Sequence, residues 1–141
     1  MKPAAIGQLI GSGMRRAKPR PDERMAAVSA ADQAAAELGL GWVPTVRFFT
    51  GSDGYGRVLH AQPRTVWVRA GLPPAETVAT VRHEVGHLAQ RAAGQSVGHD
   101  GGDWNTWRRC TVERFAAGDR KAARRLARHV RAARTVIRIT F

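Results

Sequence analysis

The segment between Pro73 and Gly94 constrains the fold of this chain more than any other part of it. Proline is tolerated in the first turn of a helix, and glycine is the residue that most often follows the end of one. Between Pro74 and Gly94, apolar residues recur at the spacing of one helical face: Val78, Val81, Val85, Leu88 and Ala92. The sequence therefore predicts an amphipathic helix from about Ala75 to Ala93.

The same segment contains His83-Glu84-Val85-Gly86-His87. Residues i and i+4 lie on one face of a helix, so both imidazoles can approach one metal ion. On a helical wheel the two histidines lie almost opposite the apolar stripe, where a cleft or another element must meet them. Glu84 is rotated by about 100° from His83, so its carboxylate can reach a metal-bound water. This pattern predicts one Zn²⁺ bound by His83 and His87, with Glu84 as the general base.

A catalytic zinc ion needs a third protein ligand and an open fourth position. His99 is the candidate, because it follows a short loop and has glycines on both sides that let the backbone return toward the first two histidines. Other possible ligands are Asp100, Asp103 and Glu113. His60 and His129 are far from this segment in the sequence, and we interpret both as non-ligands.

The remaining pattern indicates an α+β fold in one compact domain of 141 residues. An alanine-rich helix is predicted from Glu23 to Leu38, and strands are predicted at Thr45 to Thr50 and at Arg64 to Ala70. Asp103 is a plausible N-cap for a helix from Trp104 to about Ala117. A basic helix should follow to about Arg134, with an extended tail over residues 136–141.

These elements divide the chain into three parts. Residues 1–22 form a basic, flexible N-terminal arm, residues 23–117 form the core, and residues 118–141 form a basic helix with its tail. The only cysteine, Cys110, excludes an intramolecular disulfide and is interpreted as a small buried residue. No stretch is apolar enough for a membrane span or a secretory signal, so we expect a cytoplasmic protein without a membrane partner.

The net charge of +12 favours an anionic partner, and nucleic acid is the first candidate. Four arginines share one face of the C-terminal helix and could contact successive phosphates: Arg120, Arg124, Arg128 and Arg131. A solvated helix face is the simpler interpretation of such a charge run. Because the N-terminal arm is basic too, we expect DNA contact through both segments, with nucleoid or virion association as possible settings.

The sequence resembles the SprT-like family of zinc metallopeptidases, which includes the Spartan proteases. The resemblance rests on His83-Glu84-Val85-Gly86-His87, on Gly98-His99-Asp100-Gly101-Gly102-Asp103-Trp104, and on an upstream group comprising Gly56-Arg57-Val58, Val66-Trp67-Val68 and Leu72. Together these segments span about Thr45 to Thr111. One cysteine cannot form the zinc ribbon that many family members carry, and the basic C-terminal region is the candidate to replace it.

The resemblance implies a small zincin-like domain, in which a short antiparallel sheet of about three strands packs on the His-Glu-x-x-His helix. It implies one Zn²⁺ held by His83, His87 and His99, with Glu84 as base, in a metalloendopeptidase acting on proteins or peptides. DNA-associated proteins are candidate substrates. It also implies a strand that pairs with the extended substrate, and Arg64 to Ala70 is our choice for it. Tyr55 and Arg57 are candidates for a second oxyanion donor.

Two alternatives remain open at the level of sequence. The first is a basic nucleic-acid-binding or virion-associated protein with a structural zinc site, which would have no need of the Glu84 carboxylate. The second is a His-Glu-x-x-His peptidase of another family, with Glu113 as the third zinc ligand.

Overall fold

The computed structural model describes residues 13–51, 53–95 and 110–140, with side chains up to Arg134. One sheet is formed by β1 (Arg15–Arg16), β2 (Thr45–Thr50), β3 (Gly56–Leu59) and β4 (Gln62–Arg69). The strand order is β1-β2-β4-β3. Strands β2 and β4 run parallel, whereas the β1–β2 and β3–β4 pairs are antiparallel.

The sheet therefore has four strands and is mixed, and the prediction of about three antiparallel strands was wrong. The reason is the position of β3, which pairs antiparallel with the following β4 and occupies the outer edge. Two reversals of direction bring β4 back to the direction of β2, beside which it lies. As the strand between two neighbours, β4 buries Val66, Trp67 and Val68 on both faces of the sheet.

Four helices complete the described part of the chain: α1 (Pro21–Glu37), α2 (Pro74–Ala92), α3 (Thr111–Ala116) and α4 (Arg120–Thr140). All four contribute to one core with the inner face of the sheet, so the α+β class is confirmed. Helix α1 buries alanines, α2 buries Val81, Val85 and Leu88, and α4 buries Leu126 and Val130. The predicted apolar stripe of α2 is thus buried except for Val78, which is partly buried, and Ala92, which is exposed.

Helix α2 matches its prediction to within a residue at each end. Pro74 is in its first turn, and Gly94 follows the helix with a positive φ of 75°. A side chain on any other residue would be strained in that conformation, which is why glycine suits the end of this helix. The predicted strands at Thr45 to Thr50 and Arg64 to Ala70 are also confirmed, as β2 and most of β4.

The two ends of the described chain are more regular than the sequence indicates. From residue 13 on, the predicted flexible arm is part of the fold, because Met14 is buried and Arg15 and Arg16 pair with β2. At the other end, α4 continues to Thr140, so the predicted extended tail was wrong. Residues 120–140 contain neither glycine nor proline, and the helix therefore meets no breaker at Val136.

The predicted helix from Trp104 to about Ala117 is not continuous, because a separate helix, α3, begins at Thr111. Cys110 is its N-cap, with an extended backbone and a buried Sγ that accepts a hydrogen bond from the Glu113 amide at 3.2 Å. The predicted helix from Trp104 is therefore interrupted at Cys110, and residues 104–109 lie outside the described residues. Cys110 is 1% exposed, which confirms its interpretation as a buried residue.

Within the three described ranges, no helix is both long enough and apolar enough to cross a membrane.

Candidate metal centre

Helix α2 places His83, Glu84 and His87 in a cleft of about 840 Å³. The cleft lies between α2 and the segment that contains β3, and the Glu113 side chain of α3 also lines it. Because Val81, Val85 and Leu88 are buried on the opposite side of α2, the histidines are turned toward the cleft, as the helical wheel predicts. The remaining lining residues are Gly54, Tyr55, Gly56, Arg57, Val58, Ala75, Glu76, Ala79 and Thr80.

The two imidazoles face each other through the same ring nitrogen. The Nε2 atoms of His83 and His87 are 3.0 Å apart. The ring centroids are 4.7 Å apart and the ring planes are inclined by 81°. His87 is 5% exposed, so the pair is largely shielded from solvent on this side of the cleft.

The opposite nitrogen of each ring contacts a hydrogen-bond acceptor. His83 Nδ1 lies 2.7 Å from Glu113 Oε2, and His87 Nδ1 lies 2.8 Å from Gln90 Oε1. A carboxylate and an amide oxygen both accept hydrogen bonds, so these contacts favour the ring form with the proton on Nδ1. Each Nε2 then presents a lone pair to the other histidine.

With both protons on Nδ1, the two Nε2 lone pairs meet at 3.0 Å, and a cation between them would relieve their repulsion. Zinc binds imidazole nitrogen at about 2.0–2.1 Å in tetrahedral geometry, which places two nitrogen ligands about 3.3 Å apart. The observed separation is within a few tenths of an ångström of this value. Partners that fix the outer nitrogen are also typical of metal-binding histidines. The donor set of His83 and His87 therefore fits a zinc ion.

Glu84 is a buried carboxylate beside this pair, with 7% of its surface exposed. Burial raises the pKa of Glu84 from 4.5 to about 8; the Arg57 charge acts in the opposite direction, and the Glu113 charge adds to the increase. A glutamate with a pKa near neutrality can both accept and release a proton in that range. Its position and its chemistry thus suit proton transfer inside the cleft.

Strand β3 approaches Glu84 so closely that only glycine fits at position 56. A Cβ atom there would lie 2.5 Å from Thr80 Cγ2 and 2.9 Å from Glu84 Oε2. The glycine-arginine pair at the start of β3 therefore has two separate effects. Gly56 lets the strand reach α2, and Arg57 brings a positive charge toward Glu84.

The predicted third ligand, His99, lies outside the described residues, as do Asp100 and Asp103. Of the candidates for the third ligand, only Glu113 lies within the described residues. Its Oε2 contacts Nδ1 of His83, whereas Nε2 of His83 faces His87. Within the described ranges, no group of three His, Cys, Asp or Glu residues has a geometry that could hold a metal ion.

The other residues considered in the sequence fall into two groups. Tyr55 and Arg57 line the cleft. His60 and His129 are not among the cleft residues; His60 is exposed, and His129 Nδ1 lies 2.9 Å from Gln95 Nε2.

The choice of Arg64 to Ala70 as the substrate-pairing strand was wrong. Strand β4 already has a hydrogen-bonded neighbour on each side, so it has no free edge. Among the described strands, β3 lies at the edge of the sheet next to β4, and its residues Gly56, Arg57 and Val58 line the cleft. The sequence did not reveal this because the order of strands in a sheet depends on tertiary contacts.

Sequence reasoning also missed Gln90 as a partner of His87. Gln90 is three residues after His87 on the same helix, and this spacing brings two side chains together. That signal was present in the sequence. The contact between Glu113 and His83 joins two helices, and no spacing within either helix indicates it.

The basic face of α4 is exposed. Arg120, Arg124, Arg128 and Arg131 are all exposed, as are the neighbouring Lys121 and Arg125. On the opposite side, Ala122, Leu126 and Val130 are buried against the core. The helix therefore holds a row of positive charges toward the solvent while its apolar side anchors it.

Comparisons of this chain with protein-family models, with curated proteins and with solved structures gave no significant match. What the site does chemically is therefore inferred from its own geometry.

Proposed function

We propose that this protein is a zinc-dependent metalloendopeptidase of the SprT-like type with a zincin-like fold. The observation that carries the proposal is the pair of Nε2 atoms 3.0 Å apart, each belonging to a ring whose Nδ1 has an acceptor. In this proposal His83, His87 and His99 hold one Zn²⁺. The buried carboxylate of Glu84 beside the pair favours a catalytic site over a structural one, which needs no base.

The chain's own residues supply the proton transfer. Bound zinc would supply a water of lowered pKa and a positive charge near the scissile carbonyl. Glu84 accepts the proton as the water attacks, and then delivers it to the amine that leaves when the peptide bond breaks. Tyr55 and Arg57 line the same cleft and are the candidates for a second donor to the developing oxyanion.

The edge of β3 is the place for an extended substrate in this proposal. Among the described strands, β3 lies at one edge of the sheet and borders the cleft, so an added strand would lie alongside it. Such pairing recognises the backbone of an unfolded segment and depends little on its sequence. We therefore expect activity on flexible regions of proteins, with DNA-associated proteins as candidate substrates.

The ligand set is tested by the zinc content of purified variants. We expect one zinc per chain in the wild type and loss of stoichiometric zinc in His83→Ala, His87→Ala and His99→Ala. His60→Ala and His129→Ala are matched controls, because neither residue lines the cleft, and both should keep full zinc. Full zinc in His99→Ala, with loss in Glu113→Ala, would favour the peptidase alternative in which Glu113 is a ligand.

The reaction is tested by proteolysis of an unfolded basic protein, with and without DNA. Glu84→Gln should lower the rate by about 10²–10⁴-fold, which is the usual contribution of a general base. Glu76→Gln is the matched control, because Glu76 lies on the same helix and lines the same cleft but is exposed. Equal rates for wild type and Glu84→Gln, with zinc retained in both, would favour the alternative of a structural zinc site.

We propose nucleic-acid contact as a second property, since the exposed arginines of α4 form a continuous basic face. Each phosphate contact adds to the salt dependence of binding. Arg124→Ala and Arg128→Ala should each weaken binding to duplex DNA and lower the slope of log affinity against log salt by about 1. Arg24→Ala, at an exposed arginine of α1, is the control. Equal slopes in all three variants would contradict the contact.

A further inference from the structure

His83 is held by a carboxylate that comes from another helix. Glu113 Oε2 of α3 lies 2.7 Å from His83 Nδ1, and the two side chains are 32% and 15% exposed. Because both side chains are partly buried, fewer water molecules compete for this contact. An N···O distance of 2.7 Å lies within the range of an ion pair between these two groups.

Helix α3 is fixed against α2, so the position of Glu113 does not depend on its own side chain alone. Gly86 leaves room for α3, since a Cβ there would lie 2.9 Å from Val112 Cγ1. Arg82 of α2 donates from Nη2 to the Phe115 carbonyl at 3.0 Å, and its guanidinium lies 4.3 Å from the centre of the Phe115 ring. Val112 precedes Glu113 in the sequence and Phe115 follows it, so α3 is held against α2 on both sides of Glu113.

The chemistry of the contact determines which nitrogen of His83 carries the proton. An ionised carboxylate attracts a proton and donates none, so Glu113 favours the form of His83 with the proton on Nδ1. The lone pair is then on Nε2, which faces His87. Without Glu113, a proton on His83 Nε2 could be donated to His87 Nε2 and would occupy the position between the rings.

We infer that Glu113 is a positioning residue that acts through His83: it fixes the ring orientation and keeps Nε2 available for a divalent metal ion, and it is not itself a ligand. This inference rests on the proposed zinc site. Acceptors that hold the outer nitrogen of a metal-binding histidine typically change metal affinity by 10–100-fold when they are removed.

Metal affinity is the first test, measured for Zn²⁺ by competition with a chromophoric chelator. We expect Glu113→Ala to weaken binding by about 10–100-fold, and Glu113→Gln by less, because its amide oxygen can still accept from Nδ1. Glu76→Ala removes the same charge from an exposed glutamate of the same cleft and should change affinity by less than about twofold. An effect of Glu113→Ala no larger than that of Glu76→Ala would overturn the inference.

The second test follows the proton itself, by ¹⁵N NMR of the imidazoles in the metal-free protein at a pH where both rings are neutral. We expect the Nδ1–H form of His83 in the wild type and in Glu113→Gln, and a shift toward the Nε2–H form in Glu113→Ala. His87, whose Nδ1 contacts Gln90, serves as the internal reference and should keep its form. If Glu113 only stabilised the fold, its removal would not change which nitrogen is protonated in His83 alone.

The two measurements separate this inference from the proposed function. If the wild type binds no zinc, the proposed function fails, while a shift of His83 alone in Glu113→Ala still supports the positioning role. If zinc binds but His83 has the same form in wild type and Glu113→Ala, the positioning role is wrong and the zinc site stands.

Discussion

At the scale of single residues, the cleft concentrates groups that are costly to bury. Glu84 is 7% exposed, and its burial raises its pKa from 4.5 to about 8. In the unfolded chain this carboxyl has a pKa near its ordinary value. Between pH 4.5 and 8 the folded protein therefore holds a proton that the unfolded chain has released. By linkage, the stability of the metal-free protein falls as the pH rises through this range.

We predict that Glu84→Gln removes this pH dependence. Each pKa unit corresponds to about 1.36 kcal/mol, so the metal-free variant should exceed the wild type in stability by a few kcal/mol at pH 8 and match it near pH 4.5. Urea unfolding in the presence of a chelator measures this difference. The other titratable groups that line the cleft near Glu84 are the same in both proteins, namely His83, His87, Arg57 and Glu113, so the comparison isolates Glu84 itself. Parallel stability curves across this range would contradict the prediction.

A second residue-scale prediction concerns Gly56. Gly56→Ala should destabilise the protein by about 1–3 kcal/mol, because the new methyl group would lie 2.5 Å from Thr80 Cγ2. It should also lower peptidase activity by displacing Glu84. Adding Thr80→Ser removes the nearest clashing atom, so the double variant should regain part of the lost stability. Thermal unfolding of the wild type, the two single variants and the double variant measures how far the effects of the two substitutions depend on each other. If the double variant is destabilised as much as Gly56→Ala, this clash is not the cause of the destabilisation.

The sequence predicted part of the site at this scale. The i, i+4 spacing of His83 and His87 and the opposite apolar stripe were enough to predict that both rings face a cleft. The roles of Gln90 and Glu113 were not predicted, and the two cases differ. Gln90 lies on the same helix as His87, whereas the Glu113 contact exists only after α3 has packed on α2.

At the scale of elements, the site depends on how closely α3 approaches α2. Gly86 lies within the His-Glu-x-x-His segment and faces Val112 and Phe115, not the cleft. Gly86, the residue directly before His87, thus has a packing role. Its lack of a side chain lets α3 come near enough for Glu113 to reach His83.

We predict that Gly86→Ala weakens both stability and zinc affinity. Its Cβ would lie 2.9 Å from Val112 Cγ1, and overpacking of this kind typically costs about 1–3 kcal/mol. Because the displaced helix carries Glu113, zinc affinity should fall together with stability. In Gly86→Ala/Val112→Ala the clash is relieved, and zinc affinity should recover relative to Gly86→Ala. Calorimetric titration with zinc measures this, and unchanged affinity in Gly86→Ala would refute the proposed link between α3 and the site.

Local signals predicted the elements better than they predicted their arrangement. Helix α2 and strands β2 and β4 were predicted from periodicity, proline and glycine, because those features act within one segment. The parallel pairing of β2 with β4 and the edge position of β3 arise from contacts between distant segments. The end of α4 was missed because β-branched residues near its C-terminus favour strands locally, although the backbone there remains helical to Thr140.

At the scale of the whole molecule, one core connects the site to every helix. The buried cluster includes residues of α1, the sheet, α2, α3 and α4, and Val81 and Val85 of α2 belong to it. Along α2, residues that line the cleft thus alternate with residues that belong to the core. Binding of a metal to the folded protein should therefore stabilise the whole domain and not one loop alone.

We predict that zinc raises the melting temperature. At a free concentration 100 times Kd, the added stability is about 2.7 kcal/mol, which corresponds to roughly 6–10 °C for a domain of this size. Calorimetry at increasing zinc concentration should show the shift in wild type and in His129→Ala. His87→Ala should show little or none. A similar shift in His87→Ala would indicate that zinc binds elsewhere.

The placement of arginines on the sheet has a consequence for how copies of this protein behave together. Edge strands invite pairing with other chains, and short, charged edges oppose it. Strand β1 has only two residues, Arg15 and Arg16, both exposed, and edge strand β3 carries Arg57. Two copies meeting edge to edge would bring like charges together on molecules that each carry +12. Mutual repulsion should therefore keep concentrated solutions of the protein clear at low ionic strength, and added salt should promote self-association by screening these charges.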